Sequence, residues 1–596
     1  MQHLRLLLIG LVALVALFAA PVSVAQAATF TVNSTGDAVD ANPGNGTCAT
    51  AGAVCTLRAA IEEANHANNP GLDTITFSIG TGVQTISPGS ALPTISDPVI
   101  INGYTQPGAS ANTNGPALGS NAVLKIELDG AGAGPATVSG FFITAGSSTV
   151  RGLAIHSFSG PGVRSQTNGG NTIEGNFIGT GVTGTVNLGN STEGVNMSTS
   201  NNVIGGTIPA ARNVISGNDG FGVVVGGSGN EVIGNFIGTD VTGTVDLGNG
   251  GGVRSVGANN IIGGTTPAAR NVISGNDGSG VDITFSTAMN NLVQGNFIGT
   301  QLDGTSPLAN GQDGVRLGNG ANNNTIGGIA SGAGNTIAYN SAFYGVHVTG
   351  ASTTGNEIRG NSIHSNSGAG IQNDSGGNTE LSPPTVTGGP IAGTACANCE
   401  IDVFSDDADE GRIYHGSVTA DGSGNWSFLG PVSGPNVTAT ATDASDNTSE
   451  YSAPVVCAAA DGDADGVDDP CDNCPNWPNA AQALPPWTVP AGDPDCDGFP
   501  SSVGVPGKGA ETDIGTDPDI HCAADNIAGN EGLPDAWPFD FNDNQRADLS
   551  DVLGYIPVFN SFSPIAPYDP RWDLDASGGI TLGDVLSYIP VFNLTC

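Results

Sequence analysis

The chain runs to 596 residues with 55 acidic side chains against 14 basic ones. The formal charge of −41 argues against nucleic acid as a partner, because such a surface repels phosphates. Its 92 glycines do not signal disorder, since aliphatic residues stay plentiful and phased. Residues 1–27 read as a secretory leader. Arg5 supplies the positive end, Leu6 to Ala20 the apolar run, and Ala25-Gln26-Ala27 a small-x-small cleavage signal before Ala28. The run is too short to span a bilayer and no second apolar stretch follows, so no membrane span is expected. The expectation is a secreted, extracellular protein, with cell-surface association left open, and export should hold most of the ten cysteines as disulfides.

Residues 28–70 precede a long repeat region. Thr29 to Asp37 alternates as an edge strand does, and Cys48 and Cys55 close a short loop. Leu57, Ala60, Ile61 and Ala64 then share one helical face behind Thr56, a suitable N-cap. This helix is expected to cover the first open edge of the repeats. The phrase CTLRAAIEEAN (Cys55 to Asn65) resembles the CSLREAI domain that opens many secreted bacterial β-helix proteins, with Ala59 where that family's name carries Glu.

From about 71 to 380 a Gly-Val or Gly-Ile step recurs at Gly162, Gly194, Gly222, Gly252, Gly280, Gly314, Gly345 and Gly370. Between the beats alternate GNFIGT (Gly175 to Thr180, Gly234 to Thr239, Gly295 to Thr300) and NxIGGTxPAARNVISGN (Asn202 to Asn218, Asn260 to Asn276). A period of this length marks a solenoid. Short β-branched stretches bounded by Gly, Asn, Ser and Asp, with no 3.6-residue apolar period, make it all-β. Stacked at about 4.8 Å per coil, such strands form a right-handed parallel β-helix. Asn218, Asn235, Asn276 and Asn296 should sit in turns, their amides bonding the coils above and below. A leucine-rich repeat is excluded because no LxxLxL phrase occurs, and a propeller because its blades need about 40 residues each. The loops Gly179 to Asn190, Gly238 to Asn249 and Gly299 to Asn310 recur on every second coil. They should form a row about 10 Å apart, with each loop removable at little expense.

Segment 381–456 reads as a small immunoglobulin-like β-sandwich, short strands separated by turns after Pro383-Pro384. Cys396 and Cys399 fit a local disulfide better than a metal or redox pair, since no second CxxC lies nearby.

Residues 457–596 hold 24 of the acidic residues in a spacing that suits Ca2+. Asp461, Asp463, Asp465, Asp469 and Asp472 fall at positions 1, 3, 5, 9 and 12 of a loop, with Gly466 at the bend and the backbone oxygen of Val467 at position 7. Calcium takes six to eight hard oxygens, which this pattern turns inward. With Asn473-Cys474-Pro475, Asn479 and Gln482 following, the loop resembles a thrombospondin type 3 repeat. Asp493, Asp495, Asp497 and Gly498, closing late at Glu511, resemble a second, interrupted unit spanning the rest of 457–530. In 531–596, Asp540, Asn542, Asn544, Arg546 (backbone oxygen) and Asp551 are echoed by Asp573, Asp575, Ser577, Gly579 (backbone oxygen) and Asp584. Each set runs into DVLGYIPVFN or DVLSYIPVFN, a pairing that resembles a type I dockerin and implies short helices, calcium and a cohesin-like protein partner. Two departures bear on that partner. Pro557 and Pro590 end each helix early, and Leu549-Ser550 and Leu582-Gly583 replace the Ser-Thr recognition pair of cellulosomal dockerins.

A β-helix resembles the pectin-lyase-like superfold, whose members often act on polysaccharide, but fold does not fix function. A lyase base is scarce, since the mature chain has only Lys125 and Lys508 besides its arginines. Asp219, Asp277, Arg212 and Arg270 repeat in register inside ISGNDG and PAAR, as turn residues do, whereas Asp303, Asp313, His347 and His364 break the repeat. No Ser/His/Asp set, zinc spacing or phosphate loop appears. Two functions remain in view. The first is a non-catalytic, calcium-binding secreted protein for attachment to polysaccharide, a cell surface or a protein partner. The second is a dockerin-bearing glycoside hydrolase or polysaccharide lyase.

Overall fold

The computed structural model describes residues 27–456, apart from 70, 136, 388–390, 429, 431 and 433. They belong to two compact units, one ending at Gly314 and the other beginning at Val315.

The first unit is a parallel β-helix. Its strands fall into three parallel sheets in which spatial order follows chain order. The first sheet runs from Thr29–Val32 through Asp73–Phe77 to Leu292–Gln294, the second from Gln84–Ile86 to Phe297–Ile298, and the third from Phe141–Ile143 to Val281–Thr284. Inward residues stack in columns, such as Ile173, Ile204, Val232, Ile262 and Val293 in the first sheet, all removed from solvent. The glycine beat has a steric cause. A Cβ at Gly222 would lie 2.7 Å from Ile237 Cγ2 and 3.1 Å from the Gly252 oxygen of the next coil. Gly194, Gly252 and Gly280 meet the same kind of obstruction, so only glycine fits between the second and third sheets.

Buried asparagines bind coil to coil in three ladders. Asn190, Asn218, Asn249 and Asn276 each pass an Nδ2–H to the Oδ1 of the next, ending on Asn310, at 2.8–2.9 Å. Asn213, Asn235 and Asn271 do so toward Asn296 at 2.9–3.1 Å, and Asn171, Asn202 and Asn230 toward Asn260 at 2.8–3.0 Å. The expected turn positions are therefore correct, and the buried amides are satisfied as burial requires.

The helix Leu57–Ala64 forms as expected, with Thr56 Oγ1 accepting from the Ala59 N–H. It packs against Thr29–Val32 and Asp73–Phe77, covering the first coils. Arg58 is buried among the Asp37 carboxylate at 2.9 Å and the Ser90 and Ala91 carbonyls. The Cys48–Cys55 disulfide closes the preceding loop.

The second unit contains further coils and a small β-sandwich. Val315–Gly318, Val346–Thr349 and Ile371–Asp374 pair in parallel, as do Thr325–Gly327 with Glu357–Arg359 and Thr336–Ala338 with Ser362–His364. The sandwich packs Ala392–Thr394 and Asn425–Ser427 against a four-stranded antiparallel sheet ordered Ile413–Thr419, Glu400–Asp406, Asn436–Thr442, Val455–Val456. Ile401, Val403, Trp426, Phe428, Val437 and Ala439 fill its core, and Cys396 and Cys399 are joined as expected.

The sandwich also covers the last coil. Strands Glu400–Asp406 and Asn436–Thr442 are buried on both faces. The second face meets the coil through Arg359, whose guanidinium grips Asp402 at 2.6–3.2 Å, and through Asn373, which donates to the Thr448 carbonyl. Burial lowers the Arg359 pKa, but Asp402, Glu357 and Glu400 outweigh it and hold the guanidinium above its usual value. Glu410 ends one ladder, accepting from the Asn366 backbone and amide N–H groups at 3.3 Å.

Burial pushes the Glu410 carboxyl up to about 7 against the two Asn366 hydrogen bonds, with Asp406 and Asp409 adding to the rise. A pKa raised on folding gives stability that is whole below the unfolded value near 4.5 and is lost as pH climbs through 7. Asp406, itself raised by burial, acts in the same sense. The thermal transition of the second unit should therefore fall between pH 5 and pH 8. Glu410→Gln should flatten that dependence in a calorimetric pH series.

Candidate functional site

The three recurrent loops follow the second-sheet strands Phe177–Ile178, Phe236–Ile237 and Phe297–Ile298, with Val214–Ile215 and Val272–Ile273 between them. Their roots therefore stand on alternate coils, about 10 Å apart as the period requires. Each loop closes with an antiparallel bridge: Thr180 with Asn187, Thr239 with Asp246, Thr300 with Pro307.

The loops are not loose excursions. The Val241 N–H donates to the Gly184 oxygen and the Leu302 N–H to the Gly243 oxygen, both at 3.0 Å, so each loop leans on its neighbour. Val182, Val241 and Leu302 join Phe177, Phe236 and Phe297 in one apolar cluster with Ala154, Val214 and Val272. Glycine is needed beneath this cover: a Cβ at Gly184 would lie 2.8 Å from the Val241 Cβ, and one at Gly243 3.2 Å from the Phe236 ring. This packing runs against the expectation that one loop can be removed cheaply, because removal would strip a buried face of the sheet.

At the loop roots lies a cleft of about 500 Å³ lined by Asn187, Asp219, Asp246, Asp277 and the Gly217–Asn218 and Leu247–Asn249 segments. Asn187 Nδ2 donates to the Leu247 oxygen at 3.1 Å, tying the first loop to the second across it. Burial raises the Asp246 carboxyl, and Asp277 raises it further against the Gly248 N–H. Asp219 and Asp277 are turn residues, as their register implied, yet the fold gathers them with Asp246 into one acidic lining. Thr183 with Thr185 and Thr242 with Thr244 add exposed hydroxyl pairs at 2.8 and 2.6 Å.

Other residues singled out in the sequence have structural roles. Arg212 and Arg270 lie over the Phe236 and Phe297 rings at 4.5 and 4.1 Å, and burial lowers the Arg212 pKa to about 10. Asp303 accepts from the Thr305 and Ser306 N–H groups, closing its own turn. Asp313 is buried, and its backbone oxygen accepts from Gly280. His347 Nε2 lies 3.1 Å from Asp374 on the paired strand Ile371–Asp374 of the second unit, while His364, on Ser362–His364, is buried beside Tyr339.

Sequence reasoning missed a cluster on the outer face of the second sheet. Glu127 and Asp129 project from one strand, and register sets Thr85 beside Glu127 and His156 beside Asp129. His156 is 4% exposed, with Nε2 3.2 Å from Glu127 Oε1 and Nδ1 2.9 Å from Ser157 Oγ. Thr85 Oγ1 donates to the other Glu127 oxygen at 2.9 Å.

Asp461, Asp463, Asp465, Val467, Asp469, Asp472, Asp493, Asp495, Asp497, Glu511 and the ligands expected from Asp540 to Asp584 lie outside the described residues. Among the described residues no group of three or more His, Cys, Asp or Glu is placed to hold a metal ion, and no helix is long and apolar enough to cross a membrane.

No family model matches the chain, and no curated protein sequence matches it. Among solved structures the chain is similar to the A-module of the mannuronan C-5 epimerase AlgE6 of Azotobacter vinelandii, at 16% identity over 58% of this chain and 99% of that one, with a TM-score of 0.26. It is also similar to pectate lyase Pel9A, at 12% identity over 59% of this chain and 75% of that one, with a TM-score of 0.23.

Proposed function

We propose that this is an exported attachment protein that holds an extended polysaccharide along its row of loops, with calcium-ordered modules in residues 457–596. The single observation behind this is the cleft at the loop roots, repeated in chemistry from coil to coil and lined by Asn187, Asp219, Asp246 and Asp277. Carboxylates are strong acceptors for sugar hydroxyls. They also repel uronates, so the polymer is neutral or amino-bearing. On a glycan array the mature chain should bind such polymers, and the combined change of Asp219, Asp246 and Asp277 to Asn should weaken binding by about tenfold or more. Retention of anionic glycans alone would count against the proposal.

The Glu127–Asp129–His156 group favours a second reading, polysaccharide hydrolysis, because two carboxylates project from one strand beside a buried histidine. Reducing ends should then appear in the same assay and vanish in Glu127→Gln.

The calcium modules supply their own expectation. So many carboxylates in one segment repel one another without a cation, so chelation should expose 461–596 to protease while the β-helix persists. Cleavage that is identical with and without chelator would remove calcium from the proposal. The disulfides Cys48–Cys55 and Cys396–Cys399 support the export part.

A further inference from the structure

We infer that cutting the chain between Ala27 and Ala28 creates an α-ammonium group that pairs with the buried Asp73 carboxylate and completes the first coil. The inference rests on the export reading of residues 1–27.

Asp73 is fully buried at the start of the strand Asp73–Phe77. One of its oxygens, Oδ1, accepts from the Ala28 N–H at 2.7 Å. The other, Oδ2, is buried with no hydrogen-bond partner among the described residues. Burial raises its pKa most, against the Ala28 N–H that lowers it, and the nearby Asp97 and Glu63 add to the rise. Glu63 is itself occupied by the Gly44 and Gly46 N–H groups and by Asn69, so it contributes charge without relief. A buried carboxylate in acidic company needs a cation.

The atom already touching Asp73 is the one that leader removal turns into a cation. Ala28 is fixed there because the Thr74 N–H donates to its oxygen at 2.9 Å and Thr29 pairs with Thr74 in the first sheet. In the unbroken chain the Ala28 nitrogen has one hydrogen, and Oδ1 takes it. Hydrolysis breaks the Ala27–Ala28 amide bond: water gives its hydroxyl to the Ala27 carbonyl carbon and a proton to the nitrogen, which takes a second proton from solvent. The hydrolytic agent is a leader peptidase of the export route. The new ammonium carries three hydrogens and a full charge, so it keeps Oδ1 and supplies a donor for Oδ2. The cleavage site read from Ala25-Gln26-Ala27 and the buried acid 45 residues downstream thus meet at one atom.

The test uses the full chain exported from a secreting host. N-terminal sequencing should begin at Ala28; any other start, or a retained leader, overturns the inference, and a retained leader overturns the export reading as well. The mature chain should melt higher than the same chain bearing a short uncleavable extension before Ala28, and Asp73→Asn should abolish that difference. Equal melting of the mature and extended wild-type chains overturns the pairing while leaving export intact. Should Asp73→Asn fail to fold, the wild-type amine answers alone. Pairing that raises its pKa by a unit or more above the usual 8 slows acylation at pH 7 about tenfold relative to a free Ala-Thr peptide. Equal acylation rates overturn the inference.

Discussion

Replacing Phe236 by alanine should destabilise the first unit by about 3–5 kcal/mol, the range for deleting a buried aromatic ring whose surroundings relax only in part. The ring is 2% exposed, on the face of the second sheet opposite Ile237. It lies beneath the Arg212 guanidinium and against Gly243. The loss is not confined to one residue, because Val241 in the cover also holds the first loop through Gly184. Thermal melting should therefore fall in step with faster proteolysis in both 179–190 and 238–249. Deleting 238–249 should do at least as much damage, since it uncovers Phe236 and breaks the contact from Leu302 to Gly243 as well. A deletion mutant that melts like the parent would mean that the loops are decoration.

Arg359→Ala should destabilise the second unit by about 3–5 kcal/mol, because it leaves Asp402 as a buried charge without its countercharge. The carboxylate is 1% exposed and meets the guanidinium through three contacts of 2.6 to 3.2 Å. Replacing both residues by leucine removes the charge together with its partner and should recover most of the loss. Hydrogen exchange in Glu400–Asp406 and Asn436–Thr442 is the direct readout, since these strands bury their second face against the coil. Exchange unchanged by Arg359→Ala would mean that the sandwich holds to the coil without the ion pair.

The β-helix was legible because its cause is periodic. The glycine beat and the asparagine steps reflect contacts that recur on every coil, so a single chain displays them many times over. Helix Leu57–Ala64 was legible from its N-cap and apolar face. The loop cover was not. The Phe of GNFIGT and the Val of VTGT are unexceptional in themselves, and only the fold brings Val241 over Phe236. Strands Glu400–Asp406 and Asn436–Thr442 carry Asp402, Thr438 and Thr440 where alternation suggests solvent, and that face is instead buried. Glu127 and His156 come from early coils that share no phrase, so nothing repeated pointed to them, and register alone joins them through Asp129.

The covering loops stand on alternate coils, yet they touch one another, and this sets the step by which such a protein can change length. Gain or loss of one coil would bring two loops onto adjacent turns, or leave a phenylalanine column bare between them. Gain or loss of two coils preserves every contact. The chain's own spacing from Gly179 to Gly238 to Gly299 follows that rule. The hereditary unit of this architecture is a couplet of about sixty residues, and its lineage should lengthen or shorten by couplets even though its backbone repeats by single turns.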